Sequence, residues 1–364
     1  MLRKFFLLFL LTSLLLGLPV LGVWWTGMPV AEYLHFPPQS MSTRPTGFSW
    51  LVFSLFLLLE IPLYGLLIWM LLRCRKIRYP GDTFPHWGMA VLTWLLFAWY
   101  LAWCRPVWLG PLREHTFILL WMGYIGVINA LCQWRSGYNL LTQRPGYLLS
   151  LFPLSALFWW YFEYLNRFVE NWHYLGIEDI SPWSYFWRAT LPFSTVLPAV
   201  ISTLVLLRTF FGPAEDLPSL KLAYPRLWAW GGLMLGCAGL VGVGVWPQWL
   251  FALLWLAPLI LFVSIQVFLG ESSYFLNLSQ GRWDGVVLPM LAALICGFFW
   301  EMWNYWSEPK WLYTVPWVSH FRIFEMPVLG YAGYLPFGLE CAVVADWWGR
   351  NARQNHGAGS SFGH

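Results

Sequence analysis

Residues 48–72 read FSWLVFSLFLLLEIPLYGLLIWMLL, with Glu60 as the one charged residue in the run. A hydrocarbon core about 30 Å thick is crossed by about 20 apolar residues wound as an α-helix. This stretch is long enough, and its apolar residues are continuous rather than alternating, which excludes a transmembrane β-strand. In lipid each backbone amide needs a partner inside the protein, and a helix supplies one. Outward from this stretch, the same pattern predicts ten spans, at about 5–25, 48–72, 87–104, 116–134, 146–168, 185–208, 227–246, 249–270, 285–306 and 322–345. Turn formers lie between them, among them Pro37-Pro38, Pro80-Gly81-Asp82 and Gly212-Pro213. The expected fold is all-α, a polytopic transmembrane helix bundle over 1–348, followed by a disordered cytoplasmic tail over 349–364, which is polar and rich in Gly and Ser.

Composition agrees. Of 364 residues 59% are hydrophobic and 10% charged, against about 25% charged in a soluble domain. Twenty-one basic and 17 acidic side chains are too few to cover a soluble particle of this length. The net charge of +4 offers no basic face for nucleic acid. The 29 Trp suit helix ends at a membrane interface, where the ring is buried and its N–H stays wet. The six cysteines form no C-x-x-C pair and read as small apolar residues. His35, His86, His115, His173 and His320 lack ligand spacing, so no metal site is expected. No Walker A motif, dinucleotide fingerprint or nucleophile elbow is present, and no cofactor is expected.

The basic residues orient the bundle. With the N-terminus in the cytoplasm, 14 of the 21 fall on the cytoplasmic side, the cluster Arg73–Arg78 foremost, and 7 on the other. Both termini are then cytoplasmic, in an inner (cytoplasmic) membrane. Arg3-Lys4 before an apolar run also resembles a signal peptide, but no small-x-small site precedes Val23-Trp24-Trp25, so the span is counted with the bundle.

Two segments repeat each other. The first holds Phe162-Glu163-Tyr164-Leu165-Asn166, Trp172-His173-Tyr174, Pro182-Trp183, Phe186-Trp187-Arg188 and Leu191-Pro192. The second holds Trp300-Glu301-Met302-Trp303-Asn304, Trp311-Leu312-Tyr313, Pro316-Trp317, Phe321-Arg322 and Met326-Pro327. The shared order is E-x-x-N, W-x-Y, P-W, aromatic with Arg, x-P. A degenerate third copy carries Phe117 and Trp121–Gly126, parallel to Phe324 and Val328–Gly333, without the E-x-x-N element. The repeat units span about 94–134, 159–208 and 298–345, each a helix, an outer loop and a second helix. Duplicated helix pairs of this kind commonly surround one shared site.

Glu163 and Asn166, three apart, share a helix face, as do Glu301 and Asn304. A carboxylate inside a span costs about 2.5–3.5 kcal/mol on the insertion scale and usually faces a bundle interior. Each Asn amide is expected to donate to its carboxylate and hold it. Arg188 and Arg322 open the partner helices at the same level, as candidate ion partners. Glu325 precedes Pro327 and Gly330; Glu60 precedes Pro62 and Gly65, where a polar group can satisfy a freed carbonyl or bond a neighbouring helix. Glu340 and Asp346 are expected to be solvated at the cytoplasmic end.

The segment from Trp300 to Glu340 resembles the repeated unit of the small integral-membrane lycopene cyclases, the heterodimeric bacterial and fungal type. The matching positions are Glu301, Trp311-Leu312-Tyr313 and Glu325-Met326-Pro327, and the likeness extends more weakly over 160–198. The family's Pro-x-Glu-Glu order is replaced here by Phe324-Glu325-Met326-Pro327. The resemblance implies protonation of an isoprenoid alkene by a buried acid, with aromatic rings stabilising the cation. Glu163, Glu301 and Glu325 would then be acid or base, oriented by Asn166 and Asn304. Trp300, Trp311 and Tyr313, with Trp172, Tyr174, Arg188, Arg322 and Glu60, would bind a membrane lipid or isoprenoid. Two other classes fit the residues. One is a proton-coupled transporter or binding protein for a small amphiphile, with Pro153, Pro258 and Pro289 as candidate helix breaks. The other is a non-catalytic scaffold or assembly subunit whose Trp-rich outer loops dock a partner.

Overall fold

The computed structural model describes residues 2–38, 47–79, 81, 83–177, 180–214 and 221–355. Among them the chain is a helical bundle with three two-stranded ladders. Nine helical segments are long and apolar enough to cross a membrane, from Phe5–Trp25 to Val328–Arg350. The tenth expected span is the shorter apolar helix Leu253–Phe268. The protein is therefore a multi-pass membrane protein.

Small residues set the closest helix approaches. Helix Leu2–Trp25 crosses helix Pro225–Val245 at Gly22 and Gly244, where a Cβ on either would collide with backbone of the other helix. Without a hydrophobic drive between helices in lipid, such close packing is what holds them. The Trp distribution divides. Trp24, Trp25, Trp108, Trp183, Trp246 and Trp249 are exposed, in keeping with an interface girdle, whereas Trp121, Trp172, Trp300, Trp303 and Trp347 are buried in the core.

Four expectations change here. Pro153, Pro258 and Pro289 each lie inside a continuous helix and break none. The break falls instead inside the span expected at 185–208, between helices Pro182–Phe193 and Val196–Arg208. The span expected at 322–345 begins as a ladder: Arg322 pairs with Pro327 and Ile323 with Met326. A 3₁₀ turn, Val328–Gly333, follows, and the α-helix starts only at Tyr334. Phe324 at φ 58 makes the reversal, and Pro327 has no N–H to give an upstream helix. That last helix runs to Asn355, past the bundle end expected at 348; residues 356–364 of the expected tail lie outside the described residues.

The break at 194–195 is closed by one hydroxyl. Ser155, on the neighbouring helix Pro145–Val169, donates to the Phe193 carbonyl at 2.6 Å and accepts from the Leu197 amide at 3.0 Å. It is fully buried. Ser155→Ala leaves a buried carbonyl and a buried amide without partners, which costs roughly 1–3 kcal/mol per group. A lowered thermal transition of the detergent-purified protein is the expected outcome; an unchanged one would show that the break closes without Ser155.

Candidate functional site

The two E-x-x-N elements end two long helices, Pro145–Val169 and Asp284–Asn304. Beyond each, the chain turns into a three-residue strand, Trp172–Tyr174 and Trp311–Tyr313. These strands pair with each other, antiparallel: Trp172 opposite Tyr313, His173 opposite Leu312, Tyr174 opposite Trp311. The pairing places equivalent residues about a local two-fold centred between His173 and Leu312. Side chains alternate faces along a strand, so both Trp and both Tyr of the motifs share one face of this sheet. That face carries Glu163 and Glu301 beneath it.

The Asn side chains do not hold the carboxylates. Asn166 Nδ2 donates to the Trp172 carbonyl at 2.7 Å, and its Oδ1 accepts from the amides of Asn171 at 2.8 Å and Trp172 at 3.3 Å. Asn304 likewise donates to the Trp311 carbonyl at 2.9 Å and accepts its amide at 2.9 Å. Each amide thus mimics a backbone unit and pins the strand to its own helix.

The strands then hold the carboxylates. Glu163 Oε1 accepts from Trp159 Nε1 at 2.9 Å, Trp172 Nε1 at 3.1 Å and Tyr174 Oη at 2.5 Å. Glu301 Oε1 accepts from Tyr313 Oη and Tyr334 Oη, both at 2.7 Å. Trp311 Nε1 donates to Tyr313 Oη at 2.8 Å, beside the Glu301 carboxyl. Glu301 is fully buried, and its second oxygen, Oε2, has no hydrogen-bond partner among the described residues. Burial, and next the adjacent carboxyl, push the Tyr174 and Tyr313 phenols well above the ordinary value near 10, so both stay hydrogen donors at neutral pH.

One exchange separates the two halves. In the repeat register set by Glu163 and Glu301, 138 residues apart, Trp159 corresponds to Gly297 and Val196 to Tyr334. A Cβ on Gly297 would lie 2.5 Å from the Tyr334 ring. The first half donates from an indole on the motif helix. The second clears that helix with glycine and donates from a phenol on the next one. Sequence comparison by position shows only a mismatch at both places.

Between the halves the space is filled with rings. Phe337, buried at 1% exposure, touches Trp159, Phe162 and Trp255 on one side and Trp300 on the other, with centroids 5.6, 5.6, 5.7 and 6.0 Å away. Trp300 stacks on Tyr334 at 6.0 Å. Trp255 and Phe337 carry no repeat signature, which is why the sequence did not single them out.

The remaining candidates lie elsewhere. Arg188 pairs with Glu114, not with Glu163. Arg322 lies 3.9 Å from Glu325, whose closer partner is Lys310 at 2.5 Å. Glu325 is therefore held in an ion pair with Lys310, close enough to Glu301 to act on it electrostatically. Glu60 is buried, but on helix Trp50–Arg73, which packs beside the second unit and is largely lipid-facing. The third copy joins through its rings: Trp121 meets Trp300 at 4.9 Å and Trp303 at 5.1 Å, while its connecting segment Val107–His115 is 3₁₀ and not strand.

Compared with family models, curated proteins and solved structures, the chain matches none.

Gly297→Ala tests the exchange. The added methyl displaces the Tyr334 ring and loosens its bond to Glu301, an overpacking cost of roughly 1–3 kcal/mol. The double change Gly297→Ala with Tyr334→Phe is expected to cost less than the sum of the two single changes, measured by thermal unfolding. Additive costs would show that the two positions do not communicate.

Proposed function

We propose that this membrane protein is an enzyme of the cytoplasmic membrane, with both termini cytoplasmic, that acts on an isoprenoid or similar lipid-soluble substrate by acid chemistry at Glu301. The single observation that carries this reading is the uncompensated oxygen. A buried polar atom without a partner costs roughly 1–3 kcal/mol, and native proteins keep few of them without a use. Glu301 Oε2 is such an atom, in a surround of Trp300, Tyr313 and Tyr334. Two phenols fix the other oxygen, so the carboxyl is oriented before any substrate arrives. In this reading Glu301 transfers a proton to a substrate alkene, and the rings of Trp300 and Phe337 face the positive charge that forms. Of the three positions that resemble the lycopene-cyclase unit, Glu301 and Trp311-x-Tyr313 lie together around this group, whereas Glu325-Met326-Pro327 carries the ion pair with Lys310. Glu325, held by Lys310, has a positioning part.

A second reading is favoured for the first half alone. Three donors converge on one oxygen of Glu163, which suits a structural clasp more than a proton donor. The two readings divide the repeat into a reactive copy and a supporting one.

Glu301→Gln and Glu163→Gln separate them. In cells that depend on the native protein, Glu301→Gln is expected to change the profile of extracted lipids while the protein accumulates at its normal level. Glu163→Gln is expected to lower thermal stability by roughly 1–3 kcal/mol, the cost of disturbing a buried hydrogen-bond cluster, and to leave the lipid profile per folded protein unchanged. A wild-type profile from well-folded Glu301→Gln protein overturns the enzymatic reading.

A further inference from the structure

A second unused carboxyl lies away from the sheet. Glu340, expected at a solvated helix end, is buried at 3% exposure. It sits in helix Tyr334–Asn355, six residues from the helix start, about 9 Å along the axis at 1.5 Å per residue. It lines a cleft of about 80 Å³ between that helix and helices Leu2–Trp25, Pro145–Val169 and Leu253–Phe268. The walls are otherwise nearly all apolar, with Trp347 Nε1 as a further unpartnered donor, and among the described residues no Lys, Arg or His lines them. The other polar pair in the lining, Thr12 and Tyr161, is already bonded to itself at 2.7 Å. The Leu259 backbone amide faces Glu340, yet neither carboxyl oxygen makes a hydrogen bond of ordinary geometry among the described residues. At the mouth Leu8 and Leu157 are 40% and 53% exposed, on helix surfaces that face lipid.

We propose that this cleft is a binding site for an uncharged lipid-soluble molecule that enters from the bilayer and whose carbonyl oxygen accepts a hydrogen bond from the O–H of the Glu340 carboxyl. The depth of Glu340 selects the ligand. A phospholipid headgroup stays at the interface, whereas the polar atom that meets Glu340 must lie within the hydrocarbon layer. Apolar walls without a cation select a neutral polar group. The site does not include Glu163 or Glu301 and stands independently of the proposed enzymatic role.

Benzophenone, a neutral lipid-soluble aryl ketone that inserts into nearby C–H bonds under near-ultraviolet light, is the probe. The full-length protein in phospholipid nanodiscs is irradiated with it, and the adducts are mapped by peptide mass spectrometry. Adducts are expected on peptides that line the cleft, in wild type and in Glu301→Gln protein alike. Glu340→Leu, which keeps an apolar wall, is expected to reduce them about fivefold, the loss of one hydrogen bond near 1 kcal/mol. Glu340→Gln, which keeps a donor, is expected to hold them near the wild-type level, and Leu8→Trp to reduce them by filling the mouth. Thermal transitions of each variant report folding separately. Adducts spread evenly over lipid-facing helices, or cleft adducts indifferent to Glu340→Leu in folded protein, overturn the proposal and leave a packing gap.

Discussion

Two strands of three residues cannot stand alone at the end of a helix bundle. Their backbone groups must be paired, because an unpaired buried amide costs free energy comparable to a lost hydrogen bond. Here each strand has two suppliers. Its partner strand satisfies one edge, and an Asn side chain from the helix before it satisfies part of the other. This double satisfaction ties two distant helix pairs into one unit. The orientation of Glu163 and Glu301, the phenol donors and the ring layer beneath them follow from it.

The local two-fold is kept in backbone and broken in side chains. The motif residues share positions, yet Trp159 opposite Gly297 and Val196 opposite Tyr334 trade a large group from one helix to the next. Packed interiors have a fixed volume to fill, so the exchange conserves occupancy while altering chemistry. One carboxyl receives three donors on one oxygen; the other keeps an oxygen free of partners. The local trade leaves the two carboxyls in different hydrogen-bond surroundings.

Much of the architecture was legible beforehand. Nine long apolar runs declared themselves because lipid tolerates few charges in a span. Glu163, Asn166, Glu301 and Asn304 stood out because they recur in one order with rare residues around them. Their partners were less legible. Adjacency on a helix face suggested an Asn–Glu bond, but the strand amides and carbonyls had the stronger claim on each Asn. Arg188 and Arg322 found nearer acids, Glu114 and Glu325, in the loops. Glu340 looked solvated from its place near a basic helix end, whereas neighbouring helices cover it.

The amino-acid order alone determined that the chain spans a membrane many times, that one helix–loop–helix motif set recurs along it, and which acids sit inside apolar runs. Those properties are local: hydropathy, spacing and repetition are read without knowing what lies opposite. Only the folded bundle decided which carboxyl oxygen is bonded and which is bare, where a proline bends nothing and a serine bridges a break, and which acid lines an apolar cleft. Hydrogen bonds and packing join residues far apart in the chain, and their geometry exists only once the helices have been brought together.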